Sequence, residues 1–173
     1  MSRPDQEKAT TTLRILFVCT GNTCRSPMAE VLTRRLLETK QLGPVEVRSA
    51  GVHTDNGMRA SEGARKAVER TGLSLEDHSS TVLTEDLVEW ADTIFVMGPG
   101  HLQMVELFGG GEKAHLLGAF ARGMDEDGRS GEVGSVTVPD PFGGNDALYD
   151  RTLATLEGYV EAALTRLEEE RGR

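Results

Sequence analysis

The segment 15–27, ILFVCTGNTCRSP, joins an apolar strand to the start of a helix through a short polar loop. The apolar stretch is short and is followed by Gly21, as is typical of a strand buried inside a sheet. Ser26 is a predicted helix N-cap, and Pro27 suits the first helical turn, where a backbone N–H is not needed. A strand, a loop and a helix in immediate succession predict the βα unit of an α/β protein.

The same alternation of strand and helix signals continues along the chain. Strands are predicted over residues 13–18, 45–49, 92–97 and 114–117, and helices over 27–40, 57–70, 85–90, 99–108 and 146–170. This order predicts a single-domain, three-layer α/β sandwich in which a four-stranded parallel sheet carries helices on both faces. Ligands bind beyond the carboxyl ends of the strands in such sheets, which is where the loop after the first strand lies.

The chain has 173 residues and a formal net charge of -9. This length fits one domain, which we place at residues 13–170 after a flexible N-terminal extension of residues 1–12. An acidic chain binds nucleic acid poorly. No apolar run is long enough to span a bilayer. Residues 1–12 do not resemble a secretory signal. We therefore expect a cytoplasmic monomer that binds neither nucleic acid nor membranes. The Gly-rich acidic stretch 121–137 has little to bury and is predicted to be a mobile loop.

The chain has only two cysteines, Cys19 and Cys24, and both lie in the loop after the first strand. A secreted disulfide scaffold uses more cysteines, spread along the chain. A structural zinc site needs four ligands at metal spacing, whereas the four histidines occur singly. We therefore expect a reducing compartment, no metal and no cofactor.

Cys19 is the candidate nucleophile of this loop. The N–H groups of residues 20–25, the guanidinium of Arg25 and a helix N-terminus would together favour an anion, and the same surroundings favour a thiolate at their rim. A thiolate beside a bound phosphoryl group is arranged for phosphoryl transfer. Taken alone, the Cys-x5-Arg-Ser pattern is better explained by a buried, inert thiol at Cys19. Its position between a strand and a helix favours the nucleophile.

Three further loop residues have the chemistry to support such a nucleophile. Gly21 permits the backbone angles that turn the loop amides inward. Asn22 can hold the shape of the loop through side-chain hydrogen bonds, and the Ser26 hydroxyl can donate to the Cys19 thiolate.

Phosphoryl transfer also needs a proton donor for the leaving group, and Asp140 is the candidate. It lies between Pro139 and Pro141, which would hold it rigidly in a loop, and glycines at positions 143 and 144 leave room beside it. On composition alone, this segment is better explained as a turn that precedes a helix.

Four stretches resemble motifs of the low-molecular-weight protein tyrosine phosphatase family. They are VCTGNTCRSPMAE at 18–30, RSAG at 48–51, DHSS at 77–80 and DPFGG at 140–144, and the resemblance covers residues 13–167. It implies that Cys19 forms a phosphocysteine, that Arg25 clamps the phosphate, and that Asp140 acts first as an acid and then as the base that activates water. It also implies that the loop binds the substrate phosphate and that a hydrogen-bond network supports the loop. The phosphate-binding residues would be Thr20, Gly21, Asn22, Thr23, Cys24 and Ser26, and the supporting residues Asn22, Ser26, Ser49 and His78.

Within this family the chain resembles the bacterial protein arginine phosphatase branch. Thr23 stands where tyrosine-directed members usually have an aliphatic residue, and Phe142 lies in an acid loop that is poorer in aromatic residues. An aliphatic wall suits a phenyl ring, whereas the guanidinium of phosphoarginine has N–H groups that need acceptors such as a hydroxyl or a carboxylate. Thr23 and Phe142 are therefore predicted to set selectivity, although a neutral exchange at position 23 is the alternative.

The predicted function is the hydrolysis of phosphoarginine on phosphorylated protein substrates through a phosphocysteine, with protein-tyrosine phosphatase as the alternative. Cys24 is predicted to form a reversible disulfide with an oxidised Cys19, although a small apolar filler beneath the loop would look the same. Thioredoxin-coupled arsenate reductase is disfavoured because no cysteine follows Cys24. A non-catalytic phosphate-binding protein is disfavoured because Cys19, Arg25 and Asp140 are all present, and a nucleotide site because the Gly-x4-Gly-Lys pattern is missing.

Overall fold

Four short strands form one parallel sheet in the computed structural model, which describes residues 11–124 and 136–173. In chain order the elements are β1 (Leu13–Cys19), α1 (Arg25–Leu37), β2 (Val45–Gly51), α2 (Glu62–Glu69), α3 (Glu85–Trp90), β3 (Thr93–Val96), α4 (Pro99–Leu107), a 3-10 turn (Gly111–Lys113), β4 (Ala114–Leu116), α5 (Leu117–Ala121) and α6 (Asp146–Arg171). The predicted four-stranded parallel α/β architecture is confirmed.

The strand order is β2-β1-β3-β4, and every pairing is parallel. Val18 in β1 lies opposite both Ala50 in β2 and Val96 in β3. The chain leaves β1 on one side to form β2 and returns on the other side to form β3. A crevice opens where such a sheet changes direction, at the carboxyl ends of its strands, and ligands bind there. Cys19, the last residue of β1, lies at this place.

Helices cover both faces of the sheet, which explains why β1 is buried from Ile15 to Cys19. Ile15 and Phe17 belong to the apolar cluster that includes residues of α1, α2 and α6. Leu16 and Val18 belong to a second cluster on the opposite face, which includes residues of α3 and α4. The alternation along β1 places Cys19 on the same face as Phe17.

Capping side chains fix where three of the helices begin. Thr84 caps α3 as predicted, because its hydroxyl accepts the N–H of Leu87 at 3.2 Å. Helix α2 begins at Glu62 rather than at residue 57, because Ser61 accepts the N–H of Ala64 at 3.2 Å. Asn145 caps α6 in the same way.

The prediction that Ser26 caps α1 is wrong. The helix begins at Arg25, and the residue before it, Cys24, makes no side-chain capping bond. Ser26 lies inside the first turn, where its hydroxyl hydrogen-bonds to other side chains of the loop.

The last helix follows its prediction closely, and its buried positions recur at helical spacing from Tyr149 to Leu167. Helix α5 was not predicted, since Leu117 falls in the predicted fourth strand, Ala121 in the predicted loop, and residues 118–120 in neither. Most of the predicted mobile loop at 121–137 lies outside the described residues, as does most of the predicted extension at 1–12. No helix in the described ranges is long and apolar enough to cross a membrane.

Replacing Leu156 by alanine tests whether the α6 face of the sheet carries the stability of the fold. Leu156 is fully buried, so we expect Leu156→Ala to lower the free energy of unfolding by about 2–5 kcal/mol. Leu107→Ala is the matched control, because Leu107 is 75% exposed and its truncation should change stability by less than about 0.5 kcal/mol. Urea unfolding measures both values, and equal effects of the two substitutions would contradict this assignment of the core.

Candidate active site

The loop between β1 and α1 turns its carbonyl groups outward. Val52 and His53 donate their N–H groups to the carbonyls of Cys19 and Thr20 at 3.0 and 2.9 Å, and Ser61 donates to the carbonyl of Thr23 at 2.9 Å. By contrast, none of the described residues accepts a hydrogen bond from the N–H groups of residues 20–25. Unpaired N–H groups on the inner side of a loop, next to a helix N-terminus, form a site for an anion.

Asn22 holds this loop from within, as predicted. Its side-chain nitrogen donates to Ser26 Oγ at 2.8 Å and to Ser49 Oγ at 2.9 Å, and its side-chain oxygen accepts the N–H of Thr81 at 2.8 Å. His78 Nε2 donates to the Asn22 carbonyl at 2.7 Å. The Asn22 φ angle is 53°, in the left-handed region, which asparagine tolerates better than most residues. The four bonds offset that backbone cost.

The end of β2 supports the loop from outside. An added Cβ at Gly51 would lie 2.6 Å from the Thr20 carbonyl oxygen and 3.0 Å from the Asn22 nitrogen. The loop therefore packs against β2 at a distance that only glycine allows, and this contact gives the RSAG motif a structural reason.

The thiol of Cys19 lies within hydrogen-bond distance of the Ser26 hydroxyl, with 2.9 Å between Sγ and Oγ. Because Ser26 Oγ accepts a hydrogen bond from Asn22, its own proton is available to Cys19. The hydrogen bond predicted between Ser26 and Cys19 is therefore present.

Arg25 is buried beside the thiol, and three groups fix its guanidinium. Nη1 donates to the Val138 carbonyl at 2.9 Å, Nη2 donates to Thr20 Oγ1 at 3.3 Å, and Nη2 lies 3.7 Å from Asp140 Oδ2. Arg25 Nε is also buried, but no described residue accepts its N–H. A buried guanidinium with an unused donor is the second feature of this site that points to an anion.

Asp140 reaches the site from a distant part of the chain. The backbone N–H of Val138 donates to the Met97 carbonyl at the end of β3 at 2.9 Å, which anchors the segment to the sheet. Asp140 Oδ1 accepts the N–H of Phe142 at 3.1 Å, while about half of the Asp140 side chain remains exposed. The carboxyl group therefore lies at the mouth of the site, where it can exchange protons with a leaving group and with water.

The predicted site residues enclose a cavity of about 200 Å³. Its lining consists of Cys19, Thr20, Gly21, Thr23, Cys24, Arg25, Asp140 and Phe142. The structure thus brings together the nucleophile, arginine, acid and selectivity candidates, whereas Asn22, Ser26, Ser49 and His78 lie behind the loop. Phe142 is 72% exposed at the rim.

Cys24 lines the cavity and also contacts the N-cap of α2 and the side of α6. Its sulfur is 3.1 Å from Ser61 Oγ and 3.6 Å from the hydroxyl of Tyr149, which is buried against the loop. Burial raises the pKa of Tyr149 to about 12, so this hydroxyl keeps its proton. Both cysteines are free thiols that line the same cavity. The reversible Cys19–Cys24 disulfide stays a prediction.

The sequence analysis missed His101, which is buried in the first turn of α4. Its Nε2 lies 2.9 Å from Thr20 Oγ1, and its Nδ1 accepts the N–H of Gly98 at 3.1 Å. Burial, together with the nearby Arg25 charge, lowers the pKa of His101 to about 4, although Asp140 acts in the opposite direction. No local pattern marks His101, because the contact depends on the strand order, which places the segment after β3 beside the loop after β1.

The fold and the site together define the class of the protein. The thiol lies at the carboxyl end of a central parallel strand. Anion-binding N–H groups surround it, and a carboxyl group faces it. Cysteine-dependent protein phosphatases have this arrangement. Comparison with known proteins gives the family. The model described as low molecular weight phosphotyrosine protein phosphatase matches residues 14–173, and the chain belongs to this family.

Two relatives and one solved structure illustrate the similarity. The protein-arginine-phosphatase of Geobacillus stearothermophilus is 39% identical over 159 residues, covering 91% of this chain and 97% of that protein. The protein-arginine-phosphatase of Bacillus subtilis (strain 168) is 36% identical, covering 91% and 98%. The structure of the arginine phosphatase YwlE, as a cysteine-to-serine mutant with a phosphorylated active site serine, matches with a TM-score of 0.80 and 35% identity, covering 92% and 99%.

Substitution of Gly51 tests the packing of β2 against the loop. We expect Gly51→Ala to lower kcat/KM about 100-fold, because the added methyl group must displace the Thr20 carbonyl and shift the anion site. Gly158→Ala is the matched control, since a Cβ at this position in α6 meets no other atom within 4 Å. The control should keep full activity and gain about 0.5–1 kcal/mol of stability. Steady-state kinetics and thermal melting measure both variants, and a fully active Gly51→Ala enzyme would contradict the proposed contact.

The lowered pKa of His101 predicts a pH dependence of stability. The unfolded chain takes up a proton on this residue near pH 6.5, whereas the folded protein does so only near pH 4. The unfolded state therefore binds more protons between these values, and stability is lost as the pH falls through this window. The free energy of unfolding should fall less between about pH 7 and about pH 5 in His101→Gln than in the wild type. Equal losses in the two proteins, measured by urea unfolding, would show that His101 does not titrate in this way.

Proposed function

We propose that the protein hydrolyses phosphoarginine residues on phosphorylated protein substrates, and that Cys19, Arg25 and Asp140 carry the reaction. The observation that supports this most directly is the cavity in which the Cys19 thiol, the unpaired Arg25 Nε and the polar Thr23 side chain meet. The relatives named protein-arginine-phosphatase support the same substrate class. We further propose that the protein acts as a monomer in the cytoplasm.

In the first step the phosphoryl group enters the cavity and accepts hydrogen bonds from the N–H groups of residues 20–25 and from Arg25 Nε. The Cys19 thiolate attacks phosphorus, so that an S–P bond forms while the P–N bond to the arginine side chain breaks. Asp140, as the carboxylic acid, gives its proton to the leaving nitrogen. These groups act by holding the reactants in line and by stabilising the charge on the phosphoryl oxygens.

In the second step a water molecule attacks the phosphocysteine. The Asp140 carboxylate takes a proton from this water, the O–P bond forms, and the S–P bond breaks to release inorganic phosphate. The electron pair returns to Cys19 as a thiolate, which the Ser26 hydroxyl stabilises from 2.9 Å. Ser49 and His78 support this step indirectly, since both hold Asn22 and Asn22 holds Ser26.

Thr23 is the residue on which the choice of substrate depends. Its hydroxyl has only a 3.8 Å contact with Cys24 Sγ among the described residues, so it can accept a hydrogen bond from a substrate. A guanidinium N–H left without an acceptor in a closed site costs about 1–3 kcal/mol. Thr23 and Asp140 both line the cavity and can both supply acceptors, while Phe142 lies exposed at its rim.

The test compares two peptides of the same sequence, one carrying phosphoarginine and the other phosphotyrosine. The wild-type enzyme should have the higher kcat/KM for phosphoarginine, and Thr23→Ile should shift the ratio toward phosphotyrosine by about 10-fold, since one hydrogen bond to the guanidinium is lost. Thr23→Ser is the matched control that keeps the hydroxyl, and Cys19→Ser is the inactive blank.

A wild-type preference for phosphotyrosine would overturn the arginine assignment and leave a protein-tyrosine phosphatase. Hydrolysis of either peptide by Cys19→Ser at the wild-type rate would remove Cys19 as the nucleophile. A ratio that is unchanged in Thr23→Ile would remove Thr23 as the selectivity residue.

A further inference from the structure

Thr20 follows the nucleophile directly, and two donors meet its hydroxyl. Arg25 Nη2 donates to Thr20 Oγ1 at 3.3 Å, and His101 Nε2 lies 2.9 Å from the same oxygen. His101 comes from the segment after β3, so this pair joins the two strands at the crevice of the sheet.

The contact with Gly98 determines which nitrogen of His101 carries the proton. The backbone N–H of Gly98 can only donate, and it points at His101 Nδ1 from 3.1 Å. Nδ1 must therefore be the unprotonated nitrogen, and Nε2 carries the hydrogen. Since the buried ring is neutral at physiological pH, His101 donates from Nε2 to Thr20 Oγ1.

Counting hydrogen bonds then fixes the direction of the Thr20 proton. A hydroxyl oxygen has two acceptor positions and one proton. His101 and Arg25 occupy both acceptor positions of Thr20, so its remaining capacity is to donate. No described residue accepts this proton, and Thr20 lines the cavity together with Cys19, Arg25 and Asp140.

We propose that the Thr20 hydroxyl donates a hydrogen bond to a phosphoryl oxygen in the cavity, and that His101 is a positioning residue that keeps this hydroxyl turned toward the anion. The proposal rests on the proposed function only in that the cavity binds a phosphoryl group. It does not depend on whether the phosphate comes from arginine or tyrosine. Without His101, the freed acceptor position of Thr20 would let the hydroxyl rotate and would loosen its contact with Arg25.

A purely structural role for His101 has to be separated from this one, because His101 Nδ1 also holds the start of α4 through Gly98. Two substitutions each keep one of the two hydrogen bonds that the ring of His101 makes. His101→Asn places an amide near the Nδ1 position, so it can keep the bond to Gly98 while losing the bond to Thr20. His101→Gln places its amide nitrogen near the Nε2 position, so it can keep the bond to Thr20 while losing the bond to Gly98.

The inhibition constant of inorganic phosphate is the first readout, because it reports anion binding without a leaving group. We expect His101→Asn to raise this constant about 5-fold and His101→Gln to stay within about 2-fold of the wild type. Thr20→Val, which removes the hydroxyl at nearly constant shape, should raise it about 10-fold or more, whereas Thr20→Ser should restore most of the affinity. The melting temperature of each variant is measured in parallel.

The double variant Thr20→Val/His101→Asn supplies the second readout. If His101 acts through Thr20, the asparagine substitution should add less than about 2-fold once the hydroxyl is gone. kcat/KM for an aryl phosphate should follow the same order as the phosphate inhibition constants.

Three results would overturn the proposal. They are a Thr20→Val enzyme whose inhibition constant for phosphate is unchanged, a His101→Gln enzyme that binds phosphate worse than His101→Asn, and an undiminished effect of His101→Asn in the Thr20→Val background. If the histidine variants fail to fold, the comparison of Thr20→Val with Thr20→Ser still decides whether the Thr20 hydroxyl binds the anion, and an unchanged phosphate affinity in Thr20→Val overturns the proposal. Loss of the arginine preference in the peptide assay would leave all these outcomes unaffected.

Discussion

The hydrogen bonds of Asn22 are the interactions on which the rest of the site depends. This one buried side chain ties the loop to β2 through Ser49 and to the segment at Thr81, and it also orients Ser26 toward the nucleophile. The left-handed backbone at Asn22 is unfavourable by itself and persists because these partners hold it. The inward orientation of the loop N–H groups follows from it. A change at Asn22 would therefore alter the anion site, the serine and the thiol together.

The sheet gives this loop its fixed starting point. β1 pairs with a strand on each side and is covered on both faces, so Cys19 is attached to a buried central strand. The surroundings of Asp140 are different. A hydrogen bond from Val138 anchors its segment to the sheet, and the residues after Val138 are largely exposed. A rigid nucleophile and an accessible acid suit a reaction in which the acid must meet first a leaving group and then water.

Much of the fold and the site could be predicted because local sequence patterns indicate both. Apolar runs locate the strands, and the loop after β1 and the Asp140 segment have unusual residue orders that resemble known motifs. Local patterns could not reveal contacts between distant segments. Ser26 resembles an N-cap in the sequence, but its hydroxyl instead binds Asn22 and Cys19 at the same time. His101 meets Thr20 from 81 residues away. Helix α5 has only five residues, four of them buried. Its sequence has no polar face, so it resembles a buried strand as much as a helix.

The bond from Arg25 to the Val138 carbonyl connects two functions that are usually discussed separately. The same guanidinium faces the anion site and holds the segment that carries Asp140, so occupation of one and the position of the other are thermodynamically linked. Such linkage is reciprocal. A contact at the exposed stretch around Phe142 that shifted this guanidinium would change the affinity of the loop for an anion, and a bound anion would change the affinity for that surface by the same factor.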